Sequence, residues 1–146
     1  MNPMKHSEIN WPLLIDFLKK QLGKPYIFGV ENKQNEDNWD NYKAWDCSEI
    51  VEIGFHKIGI EVPDGSYNQA KVCKRLSRGE QLLIGDLGFK WNPDTEVIHH
   101  VGIYIGDGSV VEAKGKDWGV VITEKSQYES SKHFAYYGRL KIVEDA

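Results

Sequence analysis

The chain has 146 residues, of which 40% are hydrophobic and 27% are charged, and its formal net charge is −4. This length predicts one domain, residues 1–146. The acidic balance argues against a nucleic-acid partner, which normally meets a basic face, and the absence of an apolar run of 18 residues argues against a membrane span.

The N-terminal segment, Met1 to His6, lacks the apolar stretch of a signal peptide. We therefore expect synthesis in the cytoplasm, with any action outside the cell following release or non-classical export. Release at phage-induced lysis of the cell is the hypothesis for that route. The sequence predicts no particular oligomeric state.

An amphipathic helix is predicted from Trp11 to Leu22, because Leu14, Phe17 and Leu18 share one face. Gly23 then ends the helix. The polar residues 31–43 follow and predict a long surface loop.

Within this loop, Trp39 is the best candidate for an aromatic side chain that faces a substrate. A second helix is predicted from Asp46 to Ile58, since apolar residues recur at steps of three and four and Asp46 is a suitable N-cap. A third, short helix is predicted from Tyr67 to Leu76, with Cys73 as core filler.

In the second half of the chain, apolar and polar residues alternate as they do in β-strands. Because helices come first and strands second, the pattern predicts an α+β domain in which N-terminal helices pack on an antiparallel sheet. The predicted strands are Asp86–Trp91, Val97–Ile105, Ser109–Ala113, Gly119–Thr123 and Phe134–Val143.

Cys47 begins the second predicted helix, where the field of the helix N-terminus favours a thiolate nucleophile. A thiolate needs a base, and His100 begins a strand on which Gly102 leaves space beside the imidazole. Taken singly, Cys47 also fits a small core hydrophobe and His100 a structural histidine. The sequence has neither a CxxC pair nor an HExxH motif, so we predict no metal and no cofactor.

Several motifs occur in a fixed order between Gly23 and Ala113. Together they resemble the NlpC-type cell-wall peptidases, which are bacterial relatives of papain. The motifs are Gly23-Lys24-Pro25-Tyr26, Asp46-Cys47-Ser48, Gln69, Gly85-Asp86-Leu87, His100-Val101-Gly102-Ile103-Tyr104 and Gly106-Asp107-Gly108.

The resemblance implies a papain-like fold with Cys47 as nucleophile and His100 as base. It implies that Tyr26 lies beside the thiol and helps to bind the carbonyl oxygen, and that Asp46 and Ser48 line the substrate site and receive a free amino group. Its substrate would be a peptidoglycan stem peptide, cut at the γ-D-glutamyl bond to the diamino acid through a thioester. Alternatives are another cysteine amidase, deamidase or acyltransferase, or a wall-binding module with impaired catalysis.

Two positions depart from the family pattern. Glu49 replaces a glycine, and it either narrows the pocket or is an exposed capping residue. Glu112 stands where the family has a polar residue, often histidine, that orients the catalytic histidine. We interpret Glu112 as the third catalytic residue and a solvated strand charge as the alternative.

The hairpin at Gly106 to Gly108 tests this role of Glu112. A two-residue turn would pair Ile103 with Glu112 and point the carboxylate away from His100. The triad therefore requires an odd-length loop or a bulge in this hairpin.

Overall fold

The computed structural model describes residues 3–29 and 42–145. Trp39 and most of the predicted loop 31–43 lie outside the described residues. The helices are α1 (Trp11–Lys20), α2 (Cys47–Lys57), α3 (Ser66–Lys71) and α4 (Lys125–Ser130). The strands are β1 (Met4–Lys5), β2 (Cys73–Arg75), β3 (Leu87–Trp91), β4 (Ile98–Tyr104), β5 (Ser109–Ala113), β6 (Val120–Glu124), β7 (Phe134–Leu140) and β8 (Val143–Glu144).

Six strands form one sheet in the order β2-β7-β3-β4-β5-β6, and each neighbouring pair is antiparallel. α1 packs on α2, and α2 packs on β4. The predicted α+β architecture, with N-terminal helices on an antiparallel sheet, is confirmed. Within the described ranges, the helices are too short and too polar for any of them to cross a bilayer.

The helix α2 is buried along its first nine residues and forms the centre of the core. Asp46 caps it, since Oδ1 of Asp46 accepts the backbone N–H of Glu49 at 2.8 Å. Gly54 lets α1 approach closely, because a Cβ at this position would lie 2.8 Å from Cδ1 of Leu14. The cap and this close contact together fix where α2 begins relative to the sheet.

The prediction of a helix from Tyr67 to Leu76 is wrong in its second half. α3 ends at Lys71, and Cys73 lies in the edge strand β2, where it pairs with Leu140 of β7. This long-range ladder outweighs the local helical pattern. Cys73 is nevertheless buried, as the prediction of core filler required.

Two further features differ from the prediction. The helix α4 was not predicted, because Tyr128 is its only buried residue and the segment therefore shows no helical periodicity. The last predicted strand is divided by a turn at Lys141 into β7 and β8, and β8 pairs with β1 in a separate two-stranded ladder.

A buried ion pair joins β7 to the turn that precedes β3. Arg139 donates from Nε and Nη2 to the two carboxylate oxygens of Asp86, both at 2.8 Å. Both residues are almost fully buried. The hydrogen bonds that Arg139 donates to Asp86 raise the pKa of Arg139, so its guanidinium is charged.

We expect Arg139→Met to lower the free energy of unfolding by about 3–5 kcal/mol, because it leaves the Asp86 carboxylate buried without its partner. Urea denaturation measures this change. Lys74→Met is the control, since Lys74 forms an exposed pair with Asp145 and should cost at most about 1 kcal/mol. Equal effects of the two substitutions would contradict the prediction.

Candidate active site

The N-terminus of α2 lies against β4. Cys47 is the first residue of α2, and its Sγ is 3.8 Å from the backbone carbonyl oxygen of His99. Cys47 is 6% exposed. The structure therefore brings Cys47 to the strand segment that carries His100.

A β-bulge lies at this point in β4. Lys90 pairs with His100 while the next residue, Trp91, pairs with Ile98, so His99 is an extra residue in the ladder. Bulges change the direction of neighbouring side chains and are frequent beside active sites. The side chain of His99 is exposed, whereas that of His100 is 12% exposed.

The loop between β4 and β5 has the odd length that the triad requires. Ile105 and Ser109 are joined by a hydrogen bond of 3.0 Å, and Ile103 pairs with Val111. Three residues, 106–108, therefore form the loop. This register places Glu112 on the face of the sheet that carries His100, and the geometric prediction for the hairpin is confirmed.

Glu112 is almost completely buried and uses both of its carboxylate oxygens. Nε2 of His100 lies 2.7 Å from Oε1, and the hydroxyl of Thr123 donates to Oε2 at 2.6 Å. Burial acts to raise the pKa of Glu112, but the bonds from His100 and Thr123 outweigh it and hold the pKa below its ordinary value. A solvated strand charge is therefore the wrong interpretation of Glu112.

His100 is held in its charged form. Burial opposes that charge, but hydrogen bonds with Cys47 and Glu112 outweigh the burial and raise the pKa of His100 to about 9. Because Nε2 is engaged by Glu112, Nδ1 is the nitrogen available to the thiol. The arrangement is a thiol, an imidazole and a carboxylate in series.

Tyr26 reaches the start of α2 through a short parallel bridge. Tyr26 pairs with Trp45, and the backbone N–H of Ile27 donates to the carbonyl of Trp45 at 3.1 Å. Burial, together with the nearby charges of Cys47 and Asp46, raises the pKa of Tyr26 to about 12. Tyr26 is thus a neutral hydrogen-bond donor near the thiol, and its role in binding a carbonyl oxygen stays a prediction.

Asp46 also fixes the backbone that follows Tyr26. Its Oδ2 accepts the backbone N–H of Gly29 at 3.1 Å, and the hydroxyl of Ser48 lies 3.4 Å from Oδ1. Burial raises the pKa of Asp46, and the backbone bonds from Glu49 and Gly29 act against that rise. Asp46 and Ser48 therefore flank Cys47, and their binding of an amino group stays a prediction.

Glu49 is 2% exposed, so the interpretation of it as an exposed capping residue is wrong. Its carboxylate lies with those of Glu52 and Asp64, with one oxygen of each within 4.8 Å of the others. Glu49 and Glu52 also have further interaction partners. We assign no metal ion to this acidic cluster.

The support beneath His100 was not predicted from the sequence. The ring of Tyr128 lies 6.3 Å from the imidazole, and its hydroxyl donates to the carbonyl of Gly88 at 2.7 Å. Gly88 pairs with Gly102, and a Cβ at either position would come within 3.1 Å of Tyr128. Two glycines at corresponding points of adjacent strands were the available signal for a ring packed across the sheet.

A groove of about 830 Å³ lies elsewhere, between residues 75–82 and α4. None of the six candidate site residues lines it. We therefore locate the site by the chemistry of its side chains and not by the size of a cavity.

Residues 23–139 match the family model described as the NlpC/P60 family. The bifunctional muramidase/DL-endopeptidase CwlT of Bacillus subtilis is 28% identical over 142 residues, which cover 97% of this chain and 40% of CwlT. The peptidoglycan endopeptidase RipB of Mycobacterium tuberculosis is 30% identical over 107 residues, which cover 70% of this chain and 43% of RipB.

The solved structure of RipB superposes with a TM-score of 0.69 at 25% identity, over 92% of this chain and 65% of that chain. The murein DD-endopeptidase MepS/murein LD-carboxypeptidase of Escherichia coli is 36% identical over 86 residues, which cover 58% of this chain and 44% of MepS. This chain thus spans less than half of the length of each of these three curated relatives.

The raised pKa of His100 predicts a pH dependence of stability. The charged imidazole contributes its full stabilisation below the unfolded pKa of 6.5, and this contribution is lost as the pH rises through about 9. We expect the wild type to lose roughly 2–3 kcal/mol across that window and His100→Gln to lose less. Urea denaturation at about pH 6 and about pH 9.5 measures the difference.

Glu112→Gln should also reduce this loss, because it removes one of the hydrogen bonds that hold the proton on His100. Glu8→Gln makes the same chemical change at an exposed position and is expected to behave as the wild type. If His100→Gln loses as much stability as the wild type between these two pH values, the assignment of the loss to the His100 imidazole is contradicted.

Proposed function

This chain belongs to the NlpC/P60 family, and on that premise we propose that it hydrolyses peptidoglycan stem peptides through a thioester acyl-enzyme. The observation that carries the proposal is the buried series formed by Cys47, His100 and Glu112. A wall-binding module without catalysis needs neither a nucleophile at a helix N-terminus nor a carboxylate buried against a histidine.

In the proposed reaction, the Cys47 thiolate attacks the amide carbonyl carbon and forms a C–S bond. The backbone N–H of Cys47 and the hydroxyl of Tyr26 stabilise the negative oxygen. The protonated His100 then donates its proton to the leaving amine as the C–N bond breaks. Water, deprotonated by His100, attacks the thioester and releases the acid and the thiolate.

Glu112 acts in this mechanism through His100. Its hydrogen bond fixes the tautomer and the orientation of the ring, and its charge stabilises the imidazolium. The bond from Thr123 holds the carboxylate in place, and the ring of Tyr128 lies 6.3 Å from the imidazole and supports it. These contacts all lie within α2, α4 and the sheet.

We propose that the bond cleaved is the one between γ-D-glutamate and the diamino acid. CwlT, whose name includes DL-endopeptidase, matches 97% of this chain, and MepS, named as a DD-endopeptidase, matches 58%. The broader match favours the D,L bond.

A deamidase or acyltransferase would use the same thiol, and the reaction products distinguish these enzymes from an endopeptidase. The predicted release route to the wall stays a prediction.

We expect Cys47→Ala and His100→Ala each to lower the rate of peptidoglycan hydrolysis by about 1,000-fold or more, because each removes a reacting group. Glu112→Gln should lower it by about 100-fold, since an amide cannot stabilise the imidazolium by charge. Cys73→Ala is the matched control and should retain most of the activity, because Cys73 is buried in β2 with its pKa raised to about 12.

Mass spectrometry of digested peptidoglycan identifies the bond. Cleavage of the D,L bond leaves an L-alanyl-D-glutamate dipeptide on the glycan and releases peptides that begin with the diamino acid. Cleavage of a D,D cross-link would instead separate intact stem peptides, and loss of ammonia without chain cleavage would indicate a deamidase. Activity that survives Cys47→Ala would refute the mechanism.

A further inference from the structure

Lys90 lies opposite His100 in the ladder between β3 and β4. Its Nζ is 4.2 Å from the centroid of the Tyr128 ring, and the same ring lies 6.3 Å from the imidazole of His100. Lys90 is half-buried. A lysine side chain is therefore held by a cation–π contact beside the thiol–imidazole pair.

Within residues 3–29 and 42–145, no carboxylate oxygen lies within 4.0 Å of the Lys90 ammonium. The two oxygens of Glu112 are already bound to His100 and Thr123. The charges of Lys90 and Glu112 nevertheless act on each other: burial lowers the pKa of Lys90 and the Glu112 carboxylate acts against that fall, while Lys90 adds to the hydrogen bonds that lower the pKa of Glu112. At a partly desolvated site, such an interaction extends beyond contact distance.

The charges in this cluster balance only when Lys90 is included. A Cys47 thiolate, a His100 imidazolium and a Glu112 carboxylate sum to one negative charge, and the Lys90 ammonium cancels it. Without that cation, the buried carboxylate would hold the imidazolium proton more tightly. A general acid works best when its proton is neither lost before the reaction nor too strongly held.

We propose that Lys90 is a positioning residue that offsets the charge of Glu112 and so keeps the His100 proton transferable. Its importance for catalysis rests on the proposed function. The charge coupling itself needs no substrate and is measurable on the free protein. A lysine that contacted only solvent would neither couple to Glu112 nor affect catalysis. Lys90 differs because it contacts the Tyr128 ring, which lies beside His100.

The groups that act on this cluster come from each element packed around it. Cys47 faces it from α2, Glu112 from β5 and Tyr128 from α4, and His99 lies beside His100 on β4. Lys114, beyond the end of β5, acts on Lys90 by charge repulsion. None of these groups is itself changed when Lys90 alone is replaced.

The test is the rate of alkylation of Cys47 by iodoacetamide as a function of pH, with Cys47→Ala protein used to subtract any label on Cys73. The upper inflection of this profile marks the loss of the imidazolium proton. We expect Lys90→Met to move the inflection upward by about 0.5–1 pH unit, because a repelling cation is removed. Lys90→Arg keeps the charge and should stay within about 0.2 unit of the wild type.

Glu112→Gln should move the inflection downward, and the Lys90→Met/Glu112→Gln double variant should return it towards the wild-type position. Lys90→Gln provides a second neutral variant, and circular dichroism verifies that each variant is folded. An unchanged inflection in folded Lys90→Met and Lys90→Gln would overturn the proposal. If the variants show the predicted shifts but the wild type does not hydrolyse peptidoglycan, the proposed function fails and the charge coupling stands.

Discussion

The hydrogen bond between Glu112 and His100 depends on the number of residues in one hairpin loop. Side chains alternate along a strand, so the loop at 106–108 decides which face of the sheet Glu112 occupies. With three residues, the carboxylate lies on the imidazole face and is buried there. That placement supplies one of the two hydrogen bonds that hold His100 in its charged form, and Cys47 supplies the other.

Because Glu112 is buried, its hydrogen bond with His100 strongly constrains the positions of both side chains. A buried carboxylate without partners would be costly, and Glu112 avoids the cost by binding both His100 and Thr123. The same principle applies to Asp46, which caps α2 and also holds the backbone at Gly29. Each acidic group thus stabilises the local structure and positions a neighbour of the thiol at the same time.

Much of this arrangement could be predicted from the sequence, because it depends on local patterns. The apolar stripe and the Asp46 cap predicted α2, and the ordered motifs predicted which cysteine and histidine would meet. The burial of Glu49 and the strand at Cys73 could not be predicted, since both follow from long-range packing. The bulge at His99 and the support from Tyr128 likewise depend on neighbours distant in sequence, which no local pattern encodes.

The packing of Tyr128 beside His100 limits how this site can evolve. Tyr128 fits only because positions 88 and 102 lack side chains. A side chain gained at either glycine would need room from Tyr128, and also from Tyr137 at position 88 or from Val110 at position 102, and it would disturb the ring that supports the histidine. These positions are therefore expected to change together, so their joint identity should record ancestry more faithfully than any of them alone.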